Sequence, residues 1–319
     1  MAGKNLKIIL TTLTGVGVLV CILVWIILSG YIKMLPPGKP WLIVTDDLGR
    51  KVTIYRKPER IISLSPSNTE ILFALGLDKE IVGVTEFCNY PSEAQTKEKI
   101  GGYSNPNLEK IASLRPDLIL VSYGTPMKVI NQIEELDYTL IELNPKTMED
   151  VFCNINLAGK ITDKDKEASK LIANMRRRLN SIAEKVNGLT GNDRSKVFYV
   201  VWYPPLWTAG SETFIDELIK KAGGVNIAKD LSGYKQINLE TVIQRNPQVM
   251  VVGESKDQPG LTKVVRNESI LSETDAFRDN QIYTVDTDIV SRPGPRIVDA
   301  LEELSRLIHP ELFNVKGER

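Results

Sequence analysis

The chain has 319 residues, 42% of them hydrophobic and 25% charged, which is the composition of a folded globular protein long enough for two domains. Forty Lys and Arg balance forty Asp and Glu, so no overall field gathers nucleic acid or a strongly anionic partner, and any charge recognition has to be local. Three cysteines are too few for a disulfide scaffold, and one histidine leaves little for a zinc site, which needs several converging nitrogen or sulfur ligands.

Residues 8–28, IILTTLTGVGVLVCILVWIIL, carry no charge, and about 20 apolar residues suffice to cross a bilayer. An uncleaved N-terminal transmembrane helix is expected. Lys4 and Lys7 precede it, which puts the N-terminus in the cytoplasm and the rest of the chain outside. A cleaved signal peptide is the rival reading, but its apolar region is usually shorter and followed by a small-residue cleavage site. Cys21 follows Val20 inside the run and reads as a membrane-buried side chain rather than a lipidation site. The Pro-rich KMLPPGKP that follows is a stiff spacer. Cys88 and Cys153 remain outside, read as two free thiols with pairing left open.

The body opens with WLIVTDDLGRKVTIY, two β-branched runs around Asp46, Asp47 and Gly49, the pattern of a hairpin. RIISLSPSNTEILFALGL reads as strand, turn and helix, with Ser67 and Glu70 as a capping box and Gly76 as the stop. EIVGVT, DLILVS and YTLIEL are short apolar runs alternating with helix-length segments, which argues for a parallel sheet covered on both faces. From Thr162 to about Val186 there is no Gly or Pro, and apolar residues recur at Leu171, Ile172, Met175, Leu179, Ile182 and Val186. That spacing predicts one long helix.

After it the first pattern returns: KVFYVVW as a strand, YPPLWTAG as a loop, SETFIDELIKKAGG as a helix capped by Ser211, then the strands QVMVVG and QIYTVD. NES at Asn267 fits a weak glycosylation acceptor motif. The fold class is therefore α/β: two parallel-sheet lobes joined by one long helix behind a transmembrane anchor. The boundaries are 1–40 for tip, anchor and spacer, 41–161 for the first lobe, 162–190 for the linking helix and 191–319 for the second lobe. One phrase occurs in both lobes, NLEKIASLRPDLILV from Asn107 and NLETVIQRNPQVMVV from Asn238.

RIISLSPSNTEILFALGL, VGVTEFCNYP, NPNLEKIASLRPDLIL, GGVNIAKD, INLETVIQRNPQVMVVG and SRPGPRIVDALEEL, in this order around a central helix, resemble the helix-linked, two-lobe substrate-binding proteins of ABC importers for cobalamin, ferric siderophores or haem. The resemblance runs from about Trp41 to Pro310. It implies a monomer that holds its ligand between the lobes, with only modest closure, and delivers it to a permease dimer with cytoplasmic ATPase subunits. It also implies one acidic docking residue per lobe, at Glu109 and Glu240, each facing a permease arginine. A Glu two residues after an Asn cap also sits where the helix dipole favours a carboxylate with no partner at all.

Large organic ligands need apolar walls with a few orienting polar groups. Tyr90, Tyr103, Tyr123, Trp202, Trp207 and Tyr234 stand in loops expected at the cleft, though each also suits ordinary loop packing. The cobalamin-binding members have aromatics matching Tyr90, Tyr103 and Tyr234, and an Asp and Arg matching Asp288 and Arg292, which would meet the amides or phosphate of a corrinoid. Turn capping by Asp288 and a helix-opening role for Arg296 are the bland alternatives. A corrinoid leads, with ferric siderophore and then haem behind it. No cofactor and no metal site is expected. An enzyme is disfavoured: Ser65 and Ser67 are not in a nucleophile elbow, a lone His309 at a helix end cannot complete a triad, and no phosphate loop is present. A sensory or adhesive ectodomain is the remaining class.

Overall fold

The structure is a computed structural model that describes residues 38–255 and 259–313. The expected anchor and Cys21 lie outside the described residues, among which no helix is long and apolar enough to cross a membrane.

Strands β1 (Leu42–Thr45) and β2 (Lys51–Ile54) form the expected antiparallel hairpin, with Gly49 at φ 76 in its turn. The first lobe holds β3 (Ile61–Ser63), α1 (Pro66–Ala74), β4 (Ile81–Val84), α2 (Leu108–Leu114), β5 (Leu118–Val121), α3 (Met127–Glu135) and β6 (Leu140–Glu142), its four strands parallel in the order β4-β3-β5-β6. Every residue of β5 and β6 is buried, as strands covered on both faces must be.

Helix α4 (Met148–Thr162) and the linking helix α5 (Asp165–Val186) correct one expectation. Thr162 closes α4 instead of opening the link. Asp163 turns the chain in the left-handed region at φ 58, and α5 starts two residues later. The sequence hid the break because an Asp occupies the left-handed position where a Gly would announce it. The two helices pack closely: a Cβ on Gly159 would lie 2.6 Å from the Ala168 Cβ.

The second lobe contains β7 (Lys196–Trp202), β8 (Trp207–Ala209), α6 (Phe214–Lys221), β9 (Val225–Asn226), β10 (Tyr234–Gln236), α7 (Leu239–Arg245), β11 (Val249–Glu254), α8 (Leu261–Arg266), α9 (Asp275–Arg278), β12 (Ile282–Asp286), α10 (Thr287–Val290), α11 (Ile297–Ile308) and α12 (Pro310–Phe313). Parallel partners β9, β7, β11 and β12 reproduce the order of β4, β3, β5 and β6, and the antiparallel pair β8-β10 shares the edge of β7 with β9. The repeated phrase lands at the equivalent place in each lobe. Asn107 caps α2 and Asn238 caps α7 through their side chains. Both helices end on a left-handed residue, Arg115 at φ 45 and Asn246 at φ 46, before a Pro and the strand that pairs with the first strand of the lobe.

Two cap assignments change. Ser65, not Ser67, caps α1 by accepting from the Asn68 amide, and Thr213, not Ser211, caps α6. Cys88 and Cys153 are both free, the first buried and the second exposed. Asn267 is the C-terminal residue capping α8. One buried apolar core runs through both lobes, from Ile61, Leu72 and Leu118 through Ile155 and Met175 to Val251 and Leu301. The joint between lobes is therefore a packed interior rather than a tether, which limits their relative motion.

Candidate interlobe binding site

The lobes meet where the loop after β4 faces α10 and the loop that leads into α11. Glu70 projects from α1 with 1% of its side chain exposed and receives Arg296 in a two-point contact, Nε to Oε2 at 2.9 Å and Nη2 to Oε1 at 2.6 Å. This is where Glu70 goes instead of closing a capping box. Arg292 lies 3.5 Å from the same carboxylate and 2.6 Å from Asp288 Oδ1, and donates to Asn89 Oδ1 at 2.6 Å and to the Phe87 carbonyl. Asn89 Nδ2 donates to Asp288 Oδ2 at 2.7 Å, and Arg296 also donates to the Asp288 carbonyl. Three first-lobe side chains and backbone positions are thus bonded to three second-lobe residues around two carboxylates and two guanidiniums.

Burial pushes the Glu70 carboxyl above its ordinary value, with Arg296 and Arg292 pulling against it. Arg296 is held more firmly charged by Glu70 despite its own burial. A buried ion pair contributes little net stability, yet removing one partner leaves the other charge stranded.

Of the expected ligand residues, the structure gathers Tyr90, Asp288 and Arg292 into this network, for the Arg296 guanidinium stacks 4.0 Å from the Tyr90 ring centre. Tyr103 stands beside it: its ring lies 6.0 Å from that of Phe87 and covers Gly124, where a Cβ would meet it at 3.2 Å. Tyr123, 84% exposed, comes from the first lobe near Tyr234 of the second; burial first, and Tyr123 second, push the Tyr234 phenol up. Tyr234 is the first residue of β10 rather than a loop residue. Behind it, the buried Tyr199 hydroxyl fits only because residue 253 is Gly, where a Cβ would come within 2.3 Å. Trp202 and Trp207 are paired across β7 and β8 at the same strand end, and the Trp202 indole donates to the Pro204 carbonyl of its own loop. Among the described residues, neither indole is hydrogen-bonded to a residue of the interlobe network.

Asp288 does not cap its helix; Asp286 does, accepting from the Asp288 amide. Sequence reading missed Glu70, Phe87, Asn89 and Arg296 as site residues. The available signal was RPGPR, since two arginines four apart at a buried helix start require acidic partners. Glu109 and Glu240 are exposed in the first turns of α2 and α7, and neither forms an ion pair with a described residue. Among the described residues, no three His, Cys, Asp or Glu side chains group as metal ligands. A separate depression of about 400 Å³ lies between α5 and α11, lined by Arg177, Lys185, Arg306 and Phe313, none of them a residue of the interlobe network.

Two α/β lobes on a helical joint, facing each other across a polar and aromatic seam, define a solute-binding protein of the bilobal type. Residues 61–289 match the family model described as periplasmic binding protein, and the chain belongs to that family. It is 34% identical over 275 residues to an uncharacterized ABC transporter substrate-binding lipoprotein of Bacillus subtilis, covering 85% of this chain and 86% of that one. A possible iron-binding periplasmic solute-binding protein from Staphylococcus epidermidis superposes with a TM-score of 0.70 at 30% identity, over 80% of this chain and 100% of the other. The periplasmic vitamin B12-binding protein of Vibrio cholerae superposes with a TM-score of 0.69 at 28% identity, over 79% and 97%.

Proposed function

We propose that the protein is the extracytoplasmic binding protein of an ABC importer, capturing cobalamin or another corrinoid in the interlobe cleft. The observation that carries this reading is the charge balance of the seam. Glu70 and Asp288 offset Arg292 and Arg296, leaving paired donors and acceptors with no surplus of positive charge. Such a surface suits a large ligand edged with neutral amides, and offers little to a polyanionic ferric siderophore or to the propionates of haem. Tyr90, Tyr103, Tyr123 and Tyr234, each at least 40% exposed, supply the flat apolar faces that a macrocycle stacks on. Likeness to the vitamin B12-binding protein supports the same class. Haem is the second reading, favoured by those exposed phenols, since tyrosinate is a known axial ligand of haem iron.

Residues 8–28 would hold the body at the outer face of the cell membrane; the lipoprotein name of the Bacillus subtilis relative supports an anchored body, reached there by lipid. Glu109 and Glu240 are proposed to meet the permease, one on each lobe.

Mixing the purified protein in turn with cyanocobalamin, haemin and a ferric siderophore, then removing free ligand, tests the assignment. Cyanocobalamin is expected to stay bound one to one and lend its absorption bands to the protein. Retention of haemin or siderophore alone would overturn it.

A further inference from the structure

Asp288 and Arg292 are bonded to one another and present, side by side, an oxygen that only accepts and a nitrogen that only donates. A primary carboxamide spans both at once, one end donating and the other accepting, and one is already there. Asn89 gives its NH2 to Asp288 at 2.7 Å and takes a hydrogen bond from Arg292 at 2.6 Å. Its orientation is dictated by the partners, for the reverse would set oxygen against carboxylate and NH2 against guanidinium.

We propose that Asn89 is an internal surrogate for the ligand: its amide fills the Asp288–Arg292 fork while the cleft is empty, and a carboxamide of the incoming molecule displaces it. This inference rests on the corrinoid reading, because it requires a ligand rimmed with primary amides. The geometry supports an exchange rather than a permanent strut. Arg292 keeps the Phe87 carbonyl and the Glu70 carboxylate when Asn89 leaves, so the fork stays aimed. Asn89 is half-buried, next to solvent-facing Phe87 and Tyr90, so the freed amide regains water at little cost.

The surrogate does two things. It satisfies a largely buried charge pair in the empty protein, where unmet donors and acceptors are costly. It also sets a selectivity rule, since only a group that both donates and accepts repeats what Asn89 offers. A carboxylate at that position meets Asp288 with like charge.

The test is the affinity of full-length wild type and Asn89→Ala for cyanocobalamin by calorimetry, with Asn89→Ser, too short to reach both partners, as a second variant. Removing a competitor held by two hydrogen bonds is expected to tighten binding roughly threefold to tenfold in both variants. Unchanged or weaker binding in the variants, beside a wild type that binds, overturns the surrogate and leaves the corrinoid reading standing. A wild type that does not bind cyanocobalamin removes the corrinoid reading itself and the displacement with it. Melting curves for the three proteins separate a loss of fold from a loss of affinity.

Discussion

The short helices 108–114 and 239–245 are close to interchangeable, whereas the two sides of the interlobe seam are not. The helices share an Asn cap, a glutamate in the first turn, a left-handed exit and a following proline. The two sides divide the work: the first lobe brings Glu70, Asn89 and most of the tyrosines, and the second brings both arginines and Asp288. A repeated, exposed feature suits a partner that is itself built of two like halves. An unrepeated seam suits a single asymmetric molecule. On the proposed reading, the difference separates a surface for delivery from a site for capture within one chain.

Charge reversal at both ends of the repeated surface is expected to have the largest effect. Glu109→Lys with Glu240→Lys places two cations where arginines of the partner are proposed, and like charges at an interface cost several kcal/mol. Uptake of labelled cobalamin by cells should fall by about a hundredfold or more, while capture by the purified protein stays as in wild type. Uptake that persists would mean that the repeat serves only the helix dipole, and would remove the contrast between delivery and capture.

Next in size is the seam. Glu70→Ala leaves Arg296 and Arg292 largely buried without their shared carboxylate, and stranding a buried charge costs about 3 kcal/mol or more. Urea unfolding should show that loss, with a smaller one in Glu70→Gln, which keeps an acceptor for the guanidinium. Equal stability in both variants would make the seam solvent-filled, and its charge balance would no longer bear on ligand choice.

The repeated surface was legible in the sequence and half of the seam was not, for one physical reason. Asn107, Glu109, Asn238 and Glu240 do local work, and helix caps are written in residues three positions apart. Alternation of strands and helices likewise exposed both sheets, because parallel strands are apolar throughout. Glu70 and Arg296 are partners 226 positions apart. Each had a satisfactory local explanation, as a capping-box acid and a helix-opening base, and the local explanation concealed the distant one. Asn89 was invisible because an Asn in a loop before Tyr-Pro is ordinary turn chemistry. The break at Asp163 escaped for the opposite reason, since nothing in its identity demanded a left-handed turn.

The smallest expected effect compares the seam with the contact that ties the linking helix to the second lobe. Arg178 on α5 reaches Glu302 at 2.8 Å and Asp299 at 2.5 Å on α11, and this pairing draws the Glu302 carboxyl below its ordinary value of 4.5. A lowered value means that the contact stabilises the fold above about pH 4.5, and that this contribution is lost as pH falls through the lowered value. Glu70 has the opposite sign: its raised value makes ionisation unfavourable to the fold as pH climbs past 4.5. Arg178→Met should therefore be less stable than wild type at pH 7 by about 1 kcal/mol or less, since these side chains are about a third exposed. The gap should narrow as pH falls through the lowered Glu302 value and shrink in high salt. Unfolding curves at pH 7 and pH 3 decide the matter: a gap of the same size at both would assign Arg178 to packing along the helix, and the rod would then be held to its lobe by its apolar face alone.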